Sequence, residues 1–410
     1  MKKKIIIAGG GFGGLFTALE LNDSFDITLL TDSNHFIFKP LLYEYLSGEV
    51  EAWHIAPPYE ELLDRHVRIN RAPLKAVEFS NWTVTLADNT TLDYDALVLA
   101  LGAITNYAGV PGAAEFALPF RELAHADQLR ERMVTALDQV APDLPPQDVR
   151  KAMTFVIVGG GASGVELATK MADLLRDAFR RRALHGEPRV LVIEMGDKLV
   201  PGMGEEIRDY VEGALRESRV EIHTLTKVVQ VTETSVIIEH AGAETEIPTA
   251  AVVWVGGVQI NPLVKNLDLE KTERGLIKVH PTLQTVSQET VFALGDIAFV
   301  PDAAPTLAGT AQLALQEASL VARNLTAYLD GSEKLETRHF EELGEAVSLG
   351  TERAAVLAGG KAFGGSLARQ ARFAMYTGRL PTWHHRLRVG ASWFFGGTEP
   401  RPLLPLGYRR

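Results

Sequence analysis

Two stretches far apart in the chain carry the same order of residue types. The first is Lys4-Ile5-Ile6-Ile7-Ala8-Gly9-Gly10-Gly11-Phe12-Gly13-Gly14; the second is Thr154-Phe155-Val156-Ile157-Val158-Gly159-Gly160-Gly161-Ala162-Ser163-Gly164. In each, a short apolar run suited to a buried strand meets Gly-x-Gly-x-x-Gly and then a helical pattern, over Leu15 to Leu21 and from Val165 onward. The first glycine of such a motif permits a tight turn, the second lets a pyrophosphate approach the backbone, and the third lets the helix pack on the strand. The amides at the helix start then face the phosphates. One match is weak, because glycine-rich strand ends are common. Two matches predict two dinucleotide sites, built by Gly9, Gly11, Phe12, Gly13 and Gly14 in one half and by Gly159, Gly161, Ser163 and Gly164 in the other.

The strands that follow each motif sharpen this. Ile27 to Leu30 reads as the first unit's second strand, with Thr31 and Asp32 where a ribose hydroxyl binds; the spacing leaves open which of the two meets it. Val190 to Ile193 is the counterpart in the second unit and ends in Glu194, an acid that favours free ribose hydroxyls and repels a 2′-phosphate. Asp93 to Gly102, with Ala100 near its end, and Ala251 to Gly257, with Gly256, are strands that run into glycine. Val291 to Leu294 delivers Gly295 and Asp296 at a strand's C-terminal end, where open α/β sheets bind ligands. Short alternating strands fall at Val67 to Ile69, Ala76 to Phe79, Thr83 to Leu86, Val228 to Val231 and Val236 to Glu239. Helical spacing runs over Arg121 to Val140 and from Thr310, where Ala311, Gln312 and Gln316 begin a helix with both glutamines on one face. The expected fold class is therefore α/β, with two Rossmann-like dinucleotide-binding domains.

The bulk properties exclude much else. The chain has 410 residues and a net charge of −11, which argues against a nucleic-acid partner. It has no cysteine, so disulfide scaffolds, thiolate metal sites and dithiol redox chemistry are excluded, and no metal site is expected. The opening lysines and isoleucines imitate a signal peptide, but the apolar run stops at Gly9. No stretch approaches the roughly 20 apolar residues of a membrane span. The charge is uneven: residues 361–410 hold nine Lys and Arg against the single acid Glu399. With Phe363, Leu367, Ala371, Ala374 and Met375 on one helical face, and Trp383, Trp393, Phe394 and Phe395 beyond, this tail predicts a basic amphipathic helix lying on an anionic membrane surface.

The order of these motifs resembles the flavoproteins with two dinucleotide-binding domains, and within them the type II NADH dehydrogenases, single-subunit NADH:quinone oxidoreductases that do not pump protons. The closer likeness rests on Asn34-His35-Phe36-Ile37-Phe38-Lys39-Pro40-Leu41-Leu42-Tyr43-Glu44, on Gly159 to Glu166, and on Ala311-Gln312-Leu313-Ala314-Leu315-Gln316. The resemblance implies a discontinuous FAD-binding domain over residues 1–112 and 260–325, an NAD(H)-binding domain over 113–259, and a membrane-associating, dimer-forming region over 326–410. It implies non-covalent FAD held by the first glycine loop, Lys39, Gly102, Asp296 and the helix after it. NADH is expected near Gly161, Glu166 and Glu194, and a membrane quinone near Gln312 and Gln316. Ala100-Leu101-Gly102 departs from the family's usual Ala-Thr-Gly.

The mechanism so implied is hydride transfer from NADH to the flavin, then electron transfer to quinone, with Lys39, Glu166, Gln312 and Gln316 as its side chains. Lys39 would stabilise charge on the flavin ring, or fix the ring, and Gln316 would bind a quinone carbonyl. Glu166, at the positive end of its helix, is expected to be held as an anion by the dipole. The expected setting is a homodimer, peripheral on the cytoplasmic face of the membrane. The alternatives are an NAD(P)H-dependent reductase of a specialised quinone or of a small electron-transfer protein such as a ferredoxin, and a non-catalytic, redox-sensing role.

Overall fold

The structure is a computed structural model that describes residues 2–141, 143–301 and 309–403. The chain divides into two compact units. One comprises residues 1–37, 56–104 and 258–343; the other comprises 38–55, 105–257 and 344–410.

The first unit is built on a six-stranded sheet in the order Gln284–Thr285, Gln288–Ala293, Ala96–Leu99, Lys4–Ala8, Asp26–Leu30, Val67–Asn70. All neighbours are parallel except the first pair. Lys4–Ala8 lies in the middle and pairs Ile7 with both Leu29 and Val98. Its residues Ile5, Ile6 and Ile7 are buried, which is why this run is continuously apolar rather than alternating. The helix Phe12–Glu20 packs against the late helix Ala311–Leu329. A separate antiparallel sheet, Leu74–Glu78, Thr83–Leu86 and Thr91–Asp93, accounts for the alternating runs at Ala76 to Phe79 and Thr83 to Leu86, whereas Val67 to Ile69, expected as another antiparallel strand, pairs parallel at the edge of the main sheet.

The second unit repeats the plan with five parallel strands in the order Glu221–His223, Arg189–Ile193, Thr154–Val158, Ala251–Trp254, Leu118–Pro119. Its glycine loop leads into a helix of 20 residues, Ala162–Arg181. Two antiparallel three-stranded sheets complete it, Thr226–Val231 with Ser235–His240 and Ala243–Pro248, and Glu345–Ser348 with Ala354–Ala358 and Lys361–Gly365. The α/β class with Rossmann-like sheets holds.

The tail departs from expectation. Phe363 lies in a strand, not a helix. Gly359 and Gly360, with φ +57° and +73°, turn the chain into a hairpin, and the helix starts only after Gly365, as Ser366–Gly378. A side chain at Gly364 would strike the Tyr210 ring at 2.4 Å. The helix buries Ala368, Arg372, Phe373 and Tyr376; Leu367 is 68% exposed. The apolar face assigned from spacing is therefore the outer one, because Arg372 is drawn inward by carboxylates. A last helix, Trp383–Gly396, leaves Trp383, Leu387, Phe394 and Phe395 exposed. No helix among the described residues is long and apolar enough to cross a membrane.

Candidate functional site

In the first unit, Gly9 has φ +110°, and a Cβ there would lie 2.2 Å from the Ala100 carbonyl oxygen. A Cβ on Gly14 would lie 1.8 Å from the Gly9 oxygen. Gly11 differs: a Cβ there meets nothing within 4 Å. Packing dictates the first and third glycines, whereas the middle one faces open space. The helix begun by Gly11 has no side-chain cap, so its first amides have no side-chain acceptor there. Open space before uncapped amides is what a pyrophosphate needs. Phe12 closes one flank, its ring edge-on to Phe36 at 5.0 Å. The Tyr59 hydroxyl donates to the Gly10 carbonyl at 2.7 Å. Thr31 is buried, its hydroxyl accepting from the Ser33 amide at 3.2 Å, while Asp32 is exposed.

The other first-unit residues gather beside this loop. A Cβ on Gly13 would meet Leu294 at 3.1 Å and Ala100 at 3.4 Å, and one on Gly102 would meet Asp296 at 4.0 Å. Gly295 is left-handed at φ +71° and its amide donates to Glu317 Oε2 at 2.8 Å. Ala311 opens the late helix, whose cap is Thr310 accepting from Leu313. Gln312 and Gln316 do share a face. Both donate to the Glu341 carbonyl, at 3.4 and 2.8 Å, and Gln316 Oε1 accepts from the Glu341 amide at 2.9 Å. Asn324 treats Glu336 the same way, donating to its carbonyl at 2.9 Å and accepting from its amide at 2.8 Å. Two amide side chains thus hold the segment 336–341 as a neighbouring strand would.

The second unit repeats the loop geometry. Gly159 has φ +115°, with a Cβ position 2.5 Å from Gly256; Gly164 would strike the Gly159 oxygen at 1.8 Å; Gly161 again meets nothing within 4 Å. Glu194 occupies the predicted strand end, and its carboxylate accepts from Gly160 and Gly196, each at 2.6 Å. It is held facing the loop, where nucleotide ribose hydroxyls would lie. Tyr43, whose phenol burial pushes well above its usual range, belongs to the same unit.

Glu166 is one turn into the helix and is buried. Its Oε1 accepts from the Ser348 amide at 2.8 Å and from Arg372 Nη2 at 2.9 Å. Contrary to the dipole argument, its pKa is raised to about 7: burial outweighs the favourable charge of Arg372, and Glu44 adds repulsion. Arg372 is shared with Glu44 Oε1 at 2.7 Å, and Lys170 lies 3.4 Å from the same oxygen. Lys170 also pairs with Glu49, which Arg369 reaches at 2.7 Å. Three acids and three bases thus form one buried network. It engages Arg369 and Arg372, and Arg401 pairs with Glu51, so three of the nine tail bases are committed to acids earlier in the chain. Arg409 and Arg410 lie outside the described residues. Lys39 is exposed at the start of a short turn whose Pro40 carbonyl accepts from Arg372.

Sequence reasoning missed Glu44, Glu49, Lys170, Arg372 and Glu317 as a set. The signal for one of them was present, since Lys170 stands four residues after Glu166, on the same face of a largely apolar helix.

The fold and its two open glycine loops define a protein with two dinucleotide sites. The family model described as pyridine nucleotide-disulphide oxidoreductase matches residues 3–318. The demethylphylloquinone reductase NdbB of Synechocystis is 35% identical over 96% of both chains. The type II NADH:quinone oxidoreductase Ndh of Mycobacterium tuberculosis is 29% identical over 83% of this chain and 76% of that one. The structure of NDH2 from Plasmodium falciparum in complex with NADH superposes with a TM-score of 0.86 at 18% identity, covering 98% of this chain and all of the other, and so shares the fold. The chain belongs to the pyridine nucleotide-disulphide oxidoreductase family and, within it, to the type II NADH:quinone oxidoreductases.

Proposed function

We propose a division of labour between the two loops within the activity of this family. The protein is an enzyme that passes two electrons from NADH to a quinone through a flavin, without pumping protons. The loop at Gly9–Gly14 would hold FAD non-covalently, with Asp32 or Thr31 at the ribose and Asp296 at the ribityl or phosphate end. The loop at Gly159–Gly164 would hold NADH, with Glu194 selecting it over NADPH. The observation that carries both assignments is the open space at Gly11 and Gly161, the two motif glycines for which the chain has no packing use.

Bound FAD supplies the ring that accepts hydride from NADH and returns electrons to the quinone. The chain's part is to orient and to hold protons. Glu166, with Oε1 taken by Ser348 and Arg372, would carry a proton on Oε2 near neutral pH and serve quinone protonation. Lys39 would fix the flavin ring. Gln312 and Gln316 would serve the quinone end, where the Glu341 main chain is the group that competes for their amides. The exposed Leu367, Trp383, Leu387, Phe394 and Phe395 suit contact with the cytoplasmic face of a membrane, and the same region would form a homodimer.

Anaerobic stopped-flow tests this directly. NADH should bleach the flavin, and a short-chain quinone added afterwards should restore it; failure of the second step alone would redirect the acceptor toward a small protein. Gln316→Leu should slow reoxidation and leave reduction unchanged. A second reading has one observation in its favour. The 35% identical relative, matched over 96% of both chains, is named for reducing demethylphylloquinone. A specialised, demethylated naphthoquinone is the acceptor on that reading. Turnover several times faster with such a quinone than with a ubiquinone analogue would select it.

A further inference from the structure

Glu317 is 3% exposed, on the face of the helix Ala311–Leu329 turned to the core. A buried carboxylate costs several kcal/mol unless held, and a leucine at this position would fill the same space without that cost. Among the described residues its main-chain donor is the amide of Gly295. Gly295 sits in the left-handed region at φ +71°, and the next residue is Asp296. Arg338, from the segment stitched to the same helix by Gln316 and Asn324, brings its Nε to 3.3 Å from the other carboxylate oxygen, an ion pair in which that Nε makes no hydrogen bond among the described residues. Asp296 faces Glu317 as a like charge, and burial raises Glu317 to about 7. The carboxylate therefore lies between an amide that sets the turn and an arginine that sets the carboxylate.

We propose that Glu317 is a positioning residue for the flavin: it locks the Gly295–Asp296 turn so that the aspartate is presented to the cofactor, and Arg338 holds it in place. This rests on the assignment of Asp296 to FAD made above. The arrangement makes flavin retention depend on a side chain that never touches the flavin. It also couples retention to the 336–341 segment, whose Arg338 completes the arrangement.

The test is FAD binding to apoenzyme, followed by quenching of flavin fluorescence, together with the rise in melting temperature that FAD confers. Glu317→Met keeps helix propensity and volume but removes the acceptor, and should weaken FAD binding about tenfold or more while shrinking the FAD-induced rise. Glu317→Gln restores an acceptor for the Gly295 amide and should recover affinity to within about threefold. Arg338→Met should give an intermediate loss. A merely structural role would lower the melting temperature of apoenzyme and leave the FAD-induced rise intact, which would overturn the proposal. If Glu317→Met does not fold, Arg338→Met decides: unchanged FAD affinity in that variant overturns the proposal. Asp296→Asn separates the two layers. If Asp296→Asn weakens FAD binding and the Glu317 and Arg338 variants do not, the positioning role fails. If Asp296→Asn has no effect either, the assignment of this turn to FAD fails.

Discussion

The two glycine loops share a backbone and differ in what stands behind them. Behind Gly10 is the neutral Tyr59 hydroxyl, behind Gly160 the carboxylate of Glu194. The first loop's helix buries Gly13, Gly14, Leu15, Thr17 and Ala18 and no charged residue. The second loop's helix buries Glu166 and Lys170 in a six-charge network. On the proposed assignment the same turn would serve two ligands of different habit. A helix start without buried charge of its own suits a cofactor that stays. A loop backed by a carboxylate, on a helix that buries Glu166 and Lys170, suits the cosubstrate that the proposal places there.

The largest effects should break the shared backbone equally in both units. Gly14→Ala and Gly164→Ala each place a Cβ 1.8 Å from a carbonyl oxygen, and each should cost more than about 3 kcal/mol or prevent folding, read by chemical denaturation. Gly11→Ala and Gly161→Ala should cost the apoprotein no more than about 1 kcal/mol, the difference between glycine and alanine at a helix start. They separate by ligand: the first should lower flavin content, the second should raise the KM for NADH.

The next effect belongs to the second unit alone. Arg372→Met strands Glu44 and Glu166 and should cost about 3–5 kcal/mol in denaturation midpoint experiments. Adding Glu44→Gln and Glu166→Gln to it should return much of that loss. Glu194→Ser should reduce the NADH over NADPH ratio of kcat/KM by about tenfold, consistent with loss of one charge selective for free hydroxyls.

Smaller still is a pH effect. Glu166 titrates near 7 in the folded protein against an ordinary 4.5, so between those values the native state binds a proton that the unfolded chain has released. Stability from this group is full below about 4.5 and falls as pH rises through about 7. Glu166→Gln should flatten the fall in melting temperature between pH 5 and 7. A residue of slope should remain, because Glu317 has the same direction and range in the first unit. The smallest effect is that of Asp32→Asn. Asp32 is exposed, so the change should leave stability within about 0.5 kcal/mol and lower flavin affinity only if the carboxylate, rather than Thr31, meets the ribose.

How far the sequence carried this can be judged residue by residue. The strands Lys4–Ala8 and Thr154–Val158, their glycines and Glu194 were legible because each obeys a local rule: continuous burial, a left-handed turn, an acid at a strand end. The buried network was not legible, because Glu44, Glu49, Lys170, Arg369 and Arg372 lie on separate segments of the chain and meet only through tertiary packing. Glu166 stood out by its place after the glycines, but the burial that raises its pKa was not legible, because the helix dipole is a local term and burial is not. The tail was legible in part: Leu367 faces outward, as a surface-lying helix needs, but Phe363 falls in a strand, and Arg372, assigned to an exposed basic face, is drawn inward by Glu44 and Glu166.

The stitching of residues 336–341 to the helix Ala311–Leu329 carries a consequence for how this protein can vary. Gln316 and Asn324 grip the N–H and C=O of Glu341 and Glu336, groups that every amino acid except proline provides. The address is written on the helix, and the segment it holds is almost anonymous. Randomising positions 336, 337, 339, 340 and 341 should therefore yield many working proteins, with proline excluded at 336 and 341, while a library at positions 316 and 324 should collapse onto a few residues.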